Sequence, residues 1–142
     1  AQLPSAPLVA ISDNYGAMLR RAKREAPKAK GYADYQGLLK DRNVEGVIVA
    51  TAPHDHKQIV LDALNAGKHI YCEAPLAHTV GDVRAIARAA YASSKLNFQS
   101  GLQFRSEPQR HFMFPFMRSG AIGKPVHART QWHKKTNLNC DI

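Results

Sequence analysis

Three short polar clusters in this chain hold residue types that could do chemistry, and each follows directly on an apolar run. Asp13 closes Leu8-Val9-Ala10-Ile11-Ser12, the segment Thr51-Ala52-Pro53-His54-Asp55-His56 follows Gly46-Val47-Ile48-Val49-Ala50, and Glu73 follows His69-Ile70-Tyr71-Cys72. A carboxylate ending a strand accepts two hydrogen bonds from ribose hydroxyls and repels a 2′-phosphate. Asp13 suits that task, and it suits capping the next helix equally well. Glu73 is harder to explain without a ligand, because a charge at the edge of a packed core is costly unless something hydrogen-bonds it. The turn at Pro53 opens a helix whose free N–H groups can face an anion or a ribose. His54 and His56 have the chemistry of ligands or bases. With Asp55 as the carboxylate beside them they read as surface or capping residues, and no metal is expected. His69, His78, His111, His127 and His133 stand singly, and Cys72 and Cys140 lie far apart, so no disulfide framework is predicted.

These clusters need a scaffold that brings strand ends together. Leu8–Ser12 reads as a buried strand, and Gly46–Thr51, β-branched and uninterrupted, as a parallel strand covered on both faces. Between them, Tyr15–Ala26 is predicted helical, with Met18, Ala22 and Ala26 inward and Pro27 as its stop. Tyr35–Lys40 is a brief helix after Asp34. A helix over Asp55–Ala66 carries the stripe Ile59, Val60, Ala63 and Leu64 and ends at Gly67, where a left-handed cap is expected. His69–Cys72 is the third strand. Thr79, with Asp82 three residues on, caps a long helix through Ser93. Leu96–Phe104 is the fourth strand. Phe112, Met113, Phe116 and Met117 form a further helical stripe ending at Gly120, with Pro115 inside it, and Pro125–His133 alternates as a strand of a new sheet. Strands alternating with helices predict an α/β fold with a doubly wound parallel sheet, whose ligands bind beyond the carboxyl ends of the strands.

Composition bounds the partners. The 142 residues are 44% hydrophobic and 22% charged, which suits a packed globular fold. No apolar run approaches the ~18 residues of a membrane helix, and the opening lacks the basic and apolar succession of a signal peptide, so no membrane partner is expected. The formal net charge is +9, from 20 Lys and Arg against 11 Asp and Glu. Arg20, Arg21, Lys23, Arg24, Lys28 and Lys30 interleave with alanine and leucine at helical spacing, without aromatic residues for base stacking. They read as a solvated helix face, and no nucleic-acid partner is expected.

Several runs together resemble one family. Tyr32-Ala33-Asp34-Tyr35, Val47-Ile48-Val49-Ala50-Thr51-Ala52-Pro53 with His56, and Ala66-Gly67-Lys68-His69-Ile70-Tyr71-Cys72-Glu73-Ala74-Pro75-Leu76-Ala77 resemble the Gfo/Idh/MocA oxidoreductases, named for glucose-fructose oxidoreductase and inositol dehydrogenase. The likeness extends through Ser119-Gly120-Ala121-Ile122-Gly123-Lys124-Pro125. It implies a Rossmann-like NAD(P)-binding domain, here residues 1–104, and the beginning of a C-terminal α+β substrate and oligomerisation domain, here 105–142. It also implies hydride transfer between a nicotinamide, NAD favoured over NADP, and a sugar- or cyclitol-like alcohol, by a homo-oligomer when full-length. Relatives of this kind occur in the cytoplasm, the favoured location, and as exported proteins. Carried over by position, Asp13 meets the adenosine ribose, Thr51, Pro53 and His56 line the cofactor, and Glu73 holds the nicotinamide ribose. Gln103, Arg105 and His133 fall near the substrate.

Two departures qualify that expectation. The family's first strand and glycine-rich turn are missing ahead of Leu8, which removes the N–H cradle for a pyrophosphate and predicts poor dinucleotide binding by this chain alone. Where the family usually has Glu-Lys-Pro, this chain has Glu73-Ala74-Pro75. Loss of a positioned acid–base group typically costs ~10²–10⁴ in rate. The catalytic residues therefore stay unassigned, and two alternatives stand beside the oxidoreductase. One is a glycosidase-like relative that keeps NAD bound, and the other is a nucleotide-binding protein that no longer turns over. Because the chain opens at Ala1 without Met and ends in a polar stretch, an incomplete copy is expected.

Overall fold

The computed structural model describes residues 6–102, 106–127 and 129. Two compact units result, one up to Leu102 and one from Gln103. The first contains β1 (Ala10–Ser12), α1 (Gly16–Glu25), β2 (Lys30–Tyr32), α2 (Tyr35–Leu39), β3 (Gly46–Val49), α3 (His56–Asn65), β4 (His69–Cys72), α4 (Val80–Ala92) and β5 (Phe98–Ser100). The second contains α5 (Pro108–Arg118). All paired strands are parallel, in two sheets of order β1-β2 and β3-β4-β5.

The helix boundaries follow local chemistry. Asp34 accepts a hydrogen bond from the Gln36 amide (3.1 Å) and starts α2, and Thr79 Oγ1 accepts one from the Asp82 amide (3.1 Å) and starts α4. Gly67, at φ +72°, ends α3 in the left-handed region that costs a glycine nothing. The inward face of α1 is shifted from the expected one. Met18 is exposed, and Leu19 with the aliphatic stem of Lys23 lies against Gly31 of β2, because the small glycine admits a long side chain there. Strand β2 has no counterpart in the hydrophobic reading. Lys30-Gly31-Tyr32 is short and polar, and it sits on the outer edge of a two-stranded sheet where no buried pattern is required.

The core lies on one face of the three-stranded sheet. Val49, Ile70 and Cys72 pack with Val60, Ala63 and Leu64 of α3, Ile86 of α4 and Leu39 of α2. Buried Lys68 ties this layer to the other sheet: its ammonium donates to the carbonyls of Asp41 (2.9 Å) and Val44 (2.6 Å), while the Tyr32 hydroxyl donates to the Asp41 carboxylate (2.7 Å). That triad fixes the segment joining α2 to β3.

In the second unit, α5 starts earlier than the apolar stripe and contains Pro115. Phe112, Met113, Phe116 and Met117 are all exposed. The expected strand Pro125–His133 is not found at residues 125–127 and 129, and its remainder lies outside the described residues. The stretch 103–104 of the expected fourth strand also lies outside them. Strand β5 itself ends at Ser100.

Candidate cofactor site at the strand carboxyl ends

Parallel pairing of β3, β4 and β5 turns their carboxyl ends to the same side, so Thr51, Glu73 and Gly101 leave the sheet next to one another. Strand β4 ends with its backbone held on both flanks. The Glu73 amide donates to the Val49 carbonyl (2.9 Å) and the Gly101 amide donates to the Cys72 carbonyl (2.6 Å). The carboxylate of Glu73 is half-buried and has no hydrogen-bond or ion-pair partner among the described residues. A carboxylate is an acceptor only, so it calls for donors.

Gly101 keeps this position open. A Cβ added there would stand 3.0 Å from Glu73 Oε2, 3.0 Å from the Tyr71 hydroxyl and 3.1 Å from the Cys72 carbonyl. The carboxylate and the phenol thus converge over a residue without a side chain. Two acceptor oxygens with a hydroxyl beside them, over bare backbone, match the donors of a ribose diol. Sequence reasoning missed Gly101 because Leu96–Phe104 was read as continuous strand; the glycine is in fact the first residue beyond β5. Tyr71 was missed because a tyrosine inside a strand reads as packing.

His56 stands beneath this surface and does not face it. It is 1% exposed, with Nε2 2.9 Å from the Thr51 carbonyl and Nδ1 3.1 Å from the Pro75 carbonyl. The Cys72 Sγ lies 3.4 Å from Nδ1. A neutral ring has one N–H for these two carbonyls; when Nε2–H donates to Thr51, Nδ1 makes no hydrogen bond to the Pro75 carbonyl and accepts from the thiol instead. His56 is packed between the loop after β3 and the loop after β4. Burial, and secondarily the negative charge of Glu73, pushes the Cys72 thiol up to about 11, so it stays a neutral donor.

The remaining expected residues divide by location. Thr51 is exposed and Pro53 half-buried in the loop after β3. Asp13 ends β1 in the other sheet, where its carboxylate accepts a hydrogen bond from the Tyr15 amide (2.7 Å) and makes none to the β3 or β4 loops. Gln103, Arg105 and His133 lie outside the described residues. His54 is exposed, 3.5 Å from the Asp55 carboxylate. No group of three or more metal-ligating side chains occurs among the described residues.

Comparison with known proteins agrees with this geometry. The model of an oxidoreductase family with an NAD-binding Rossmann fold, Gfo/Idh/MocA, matches residues 1–101. The inositol 2-dehydrogenase of Salmonella typhimurium is 34% identical over 125 residues, 86% of this chain and 37% of that enzyme. A probable dehydrogenase from Thermotoga maritima has a similar structure, with TM-score 0.78 and 30% identity over 84% of this chain and 36% of that one. The scyllo-inositol dehydrogenase of Lactobacillus casei, solved with NAD(H) and scyllo-inositol, shares the fold at TM-score 0.81 and 24% identity, over 86% of this chain and 36% of that chain. The chain thus spans little more than a third of the relatives it matches. With parallel strands and a family match over residues 1–101, the chain belongs to the Gfo/Idh/MocA oxidoreductases with an NAD-binding Rossmann fold.

Proposed function

We propose that this chain supplies the nicotinamide-ribose side of a dinucleotide site in an oxidoreductase that passes hydride between NAD and a cyclitol- or sugar-like alcohol. The observation that carries the reading is the unpartnered, half-buried Glu73 carboxylate over Gly101. Within this reading Glu73 accepts from the ribose hydroxyls, Thr51 and Pro53 border the cofactor, and His56 packs between the two loops. Asp13 takes the adenosine ribose and thereby favours NAD over NADP. A bound nicotinamide would supply the hydride acceptor or donor. The substrate class rests on relatives that are inositol dehydrogenases, with Gln103, Arg105 and His133 proposed near the substrate, and a homo-oligomer is proposed for the longer protein.

A second reading is nucleotide binding without turnover. Its support is Ala74, exposed next to Glu73 and lacking any acid–base group.

A chimaera in which this chain replaces the matched stretch of the Salmonella enzyme tests both. Thermal-shift titration should show stabilisation by NAD(H) exceeding that by NADP(H), and Glu73→Gln should weaken dinucleotide affinity about 10-fold or more, the loss of one or two hydrogen bonds to a charged group. The chain alone should respond far less. Absence of stabilisation by either dinucleotide in the chimaera would sink the proposal, and stabilisation without inositol-dependent NADH formation would favour the second reading.

A further inference from the structure

Successive side chains of a strand point to opposite faces of its sheet. In β4, Ile70 and Cys72 are buried in the core with α3 and α4, so Tyr71 and the residue just past the strand, Glu73, share the other face. Tyr71 takes no part in the core contacts. A strand advances ~3.3 Å per residue and its side chains lean along it. That lean carries the Tyr71 hydroxyl forward beyond the end of β5, to 3.0 Å from where a Cβ of Gly101 would stand.

Glu73 Oε2 stands 3.0 Å from the same point, so the two oxygens lie no more than twice that distance apart. They form no hydrogen bond with each other, and neither has another partner among the described residues. No buried side-chain nitrogen or oxygen among those residues lacks a partner. Both oxygens therefore reach solvent, where a ligand can meet them.

The two groups have opposite needs. A carboxylate accepts hydrogen bonds and donates none, whereas a phenol has an O–H to give. A ligand ammonium satisfies Glu73 alone. A carbonyl oxygen satisfies Tyr71 alone, and a phosphate does so while being repelled by the carboxylate. A hydroxyl donates one hydrogen bond and accepts another, so it serves both at once, and two O–H···O bonds of ~2.5–3.0 Å fit the separation.

We infer that Tyr71 is a ligand-binding residue that works with Glu73: its phenol donates to the same ribose hydroxyl that donates to the carboxylate. The inference rests on the ribose reading of Glu73 and adds the donor that reading lacks. Glu73 alone takes any donor, so its partner makes the position selective for a hydroxyl, one of the two on the nicotinamide ribose. The Tyr71 hydroxyl holds no part of the fold, since it bonds to nothing in the chain among the described residues.

Tyr71→Phe, which keeps the ring and loses the donor, tests this in the chimaera with the Salmonella enzyme, together with NAD analogues lacking the 2′- or the 3′-hydroxyl of the nicotinamide ribose. Calorimetric titration should show NAD affinity falling about 3–10-fold in Tyr71→Phe, the weight of one neutral hydrogen bond. The urea midpoint of the Tyr71→Phe chain without dinucleotide should equal that of the parent. One analogue should bind the parent chimaera about 10-fold or more weakly than NAD, and for that analogue Tyr71→Phe should make less than about a 2-fold difference, because the residue and the hydroxyl are partners in one bond. Equal NAD affinity in parent and Tyr71→Phe, with Glu73→Gln still weakened, overturns the inference and leaves the reading of Glu73 in place. A loss in Tyr71→Phe that is the same for NAD and both analogues assigns the phenol to packing and overturns it, as does a lowered urea midpoint. A parent chimaera that binds no dinucleotide overturns the reading of Glu73, and the inference with it.

Discussion

At the scale of single residues, the site depends on what is absent at one position and neutral at another. Gly101 is favoured by space, since an added Cβ would stand 3.1 Å from the Cys72 carbonyl, which is backbone and would have to give by a few tenths of an ångström. Gly101→Ala should lower stability by about 1–3 kcal/mol, as overpacking does, read as a fall in the denaturant midpoint, and in the chimaera it should weaken NAD binding by displacing the Glu73 carboxylate. Cys72 gives a pH signature. Its thiol in the folded chain titrates at about 11 against an ordinary value of 9.0, through burial first and Glu73 second. Between those values the unfolded chain has released a proton that the folded chain keeps, so stability falls as pH rises from 9.0 towards 11 and is unaffected below. Urea titrations at pH 8, 10 and 11 should show a decline that is smaller in Cys72→Ala than in the parent chain, the remainder coming from groups such as Tyr35, whose hydroxyl is held up first by its hydrogen bond to Asp62.

At the scale of elements, the helices are placed by their ends and by a few cross-links. Thr79 caps α4 and also donates to the Asp82 carboxylate (2.7 Å), to which Lys57 of α3 donates in turn (2.8 Å). Those two hydrogen bonds, that of Lys57 the larger, hold Asp82 below the usual carboxylate range. Stability drawn from this group is present above the ordinary carboxylate pKa and is lost as pH falls through the depressed one. Thr79→Ala should cost about 1 kcal/mol at neutral pH, and urea midpoints should show part of the acid sensitivity disappearing with it. Equal acid profiles in parent and variant would separate the cap from the carboxylate. The sequence located α3, β3 and α4 closely because each has a strong local signal: an apolar stripe with a glycine stop, a β-branched run, a hydroxyl with an acid three residues later. It passed over β2, since an edge strand of three residues carries no burial pattern to read.

At the scale of the whole molecule, the basic balance is dispersed. In α1, Arg21 pairs with Glu25 at 3.6 Å, and the Lys23 ammonium donates to the carbonyls of Pro27 and Ala29. Retention on immobilised DNA should therefore be lost below about 0.2 M salt, with a slope of few phosphate contacts. Steep salt dependence persisting beyond that would argue for a nucleic-acid partner. The amino-acid sequence by itself determined the α/β class, the family and the carboxylate at the end of β4, because periodicity, turn chemistry and an ionisable group at a strand terminus are local properties. Only the tertiary structure decided that His56 is buried between the loops after β3 and β4, that Gly101 and Tyr71 stand beside Glu73, and that the strands form two separate sheets. Those outcomes depend on which strands pair and on which face the helices land, and pairing between distant segments leaves no mark in any short stretch of chain.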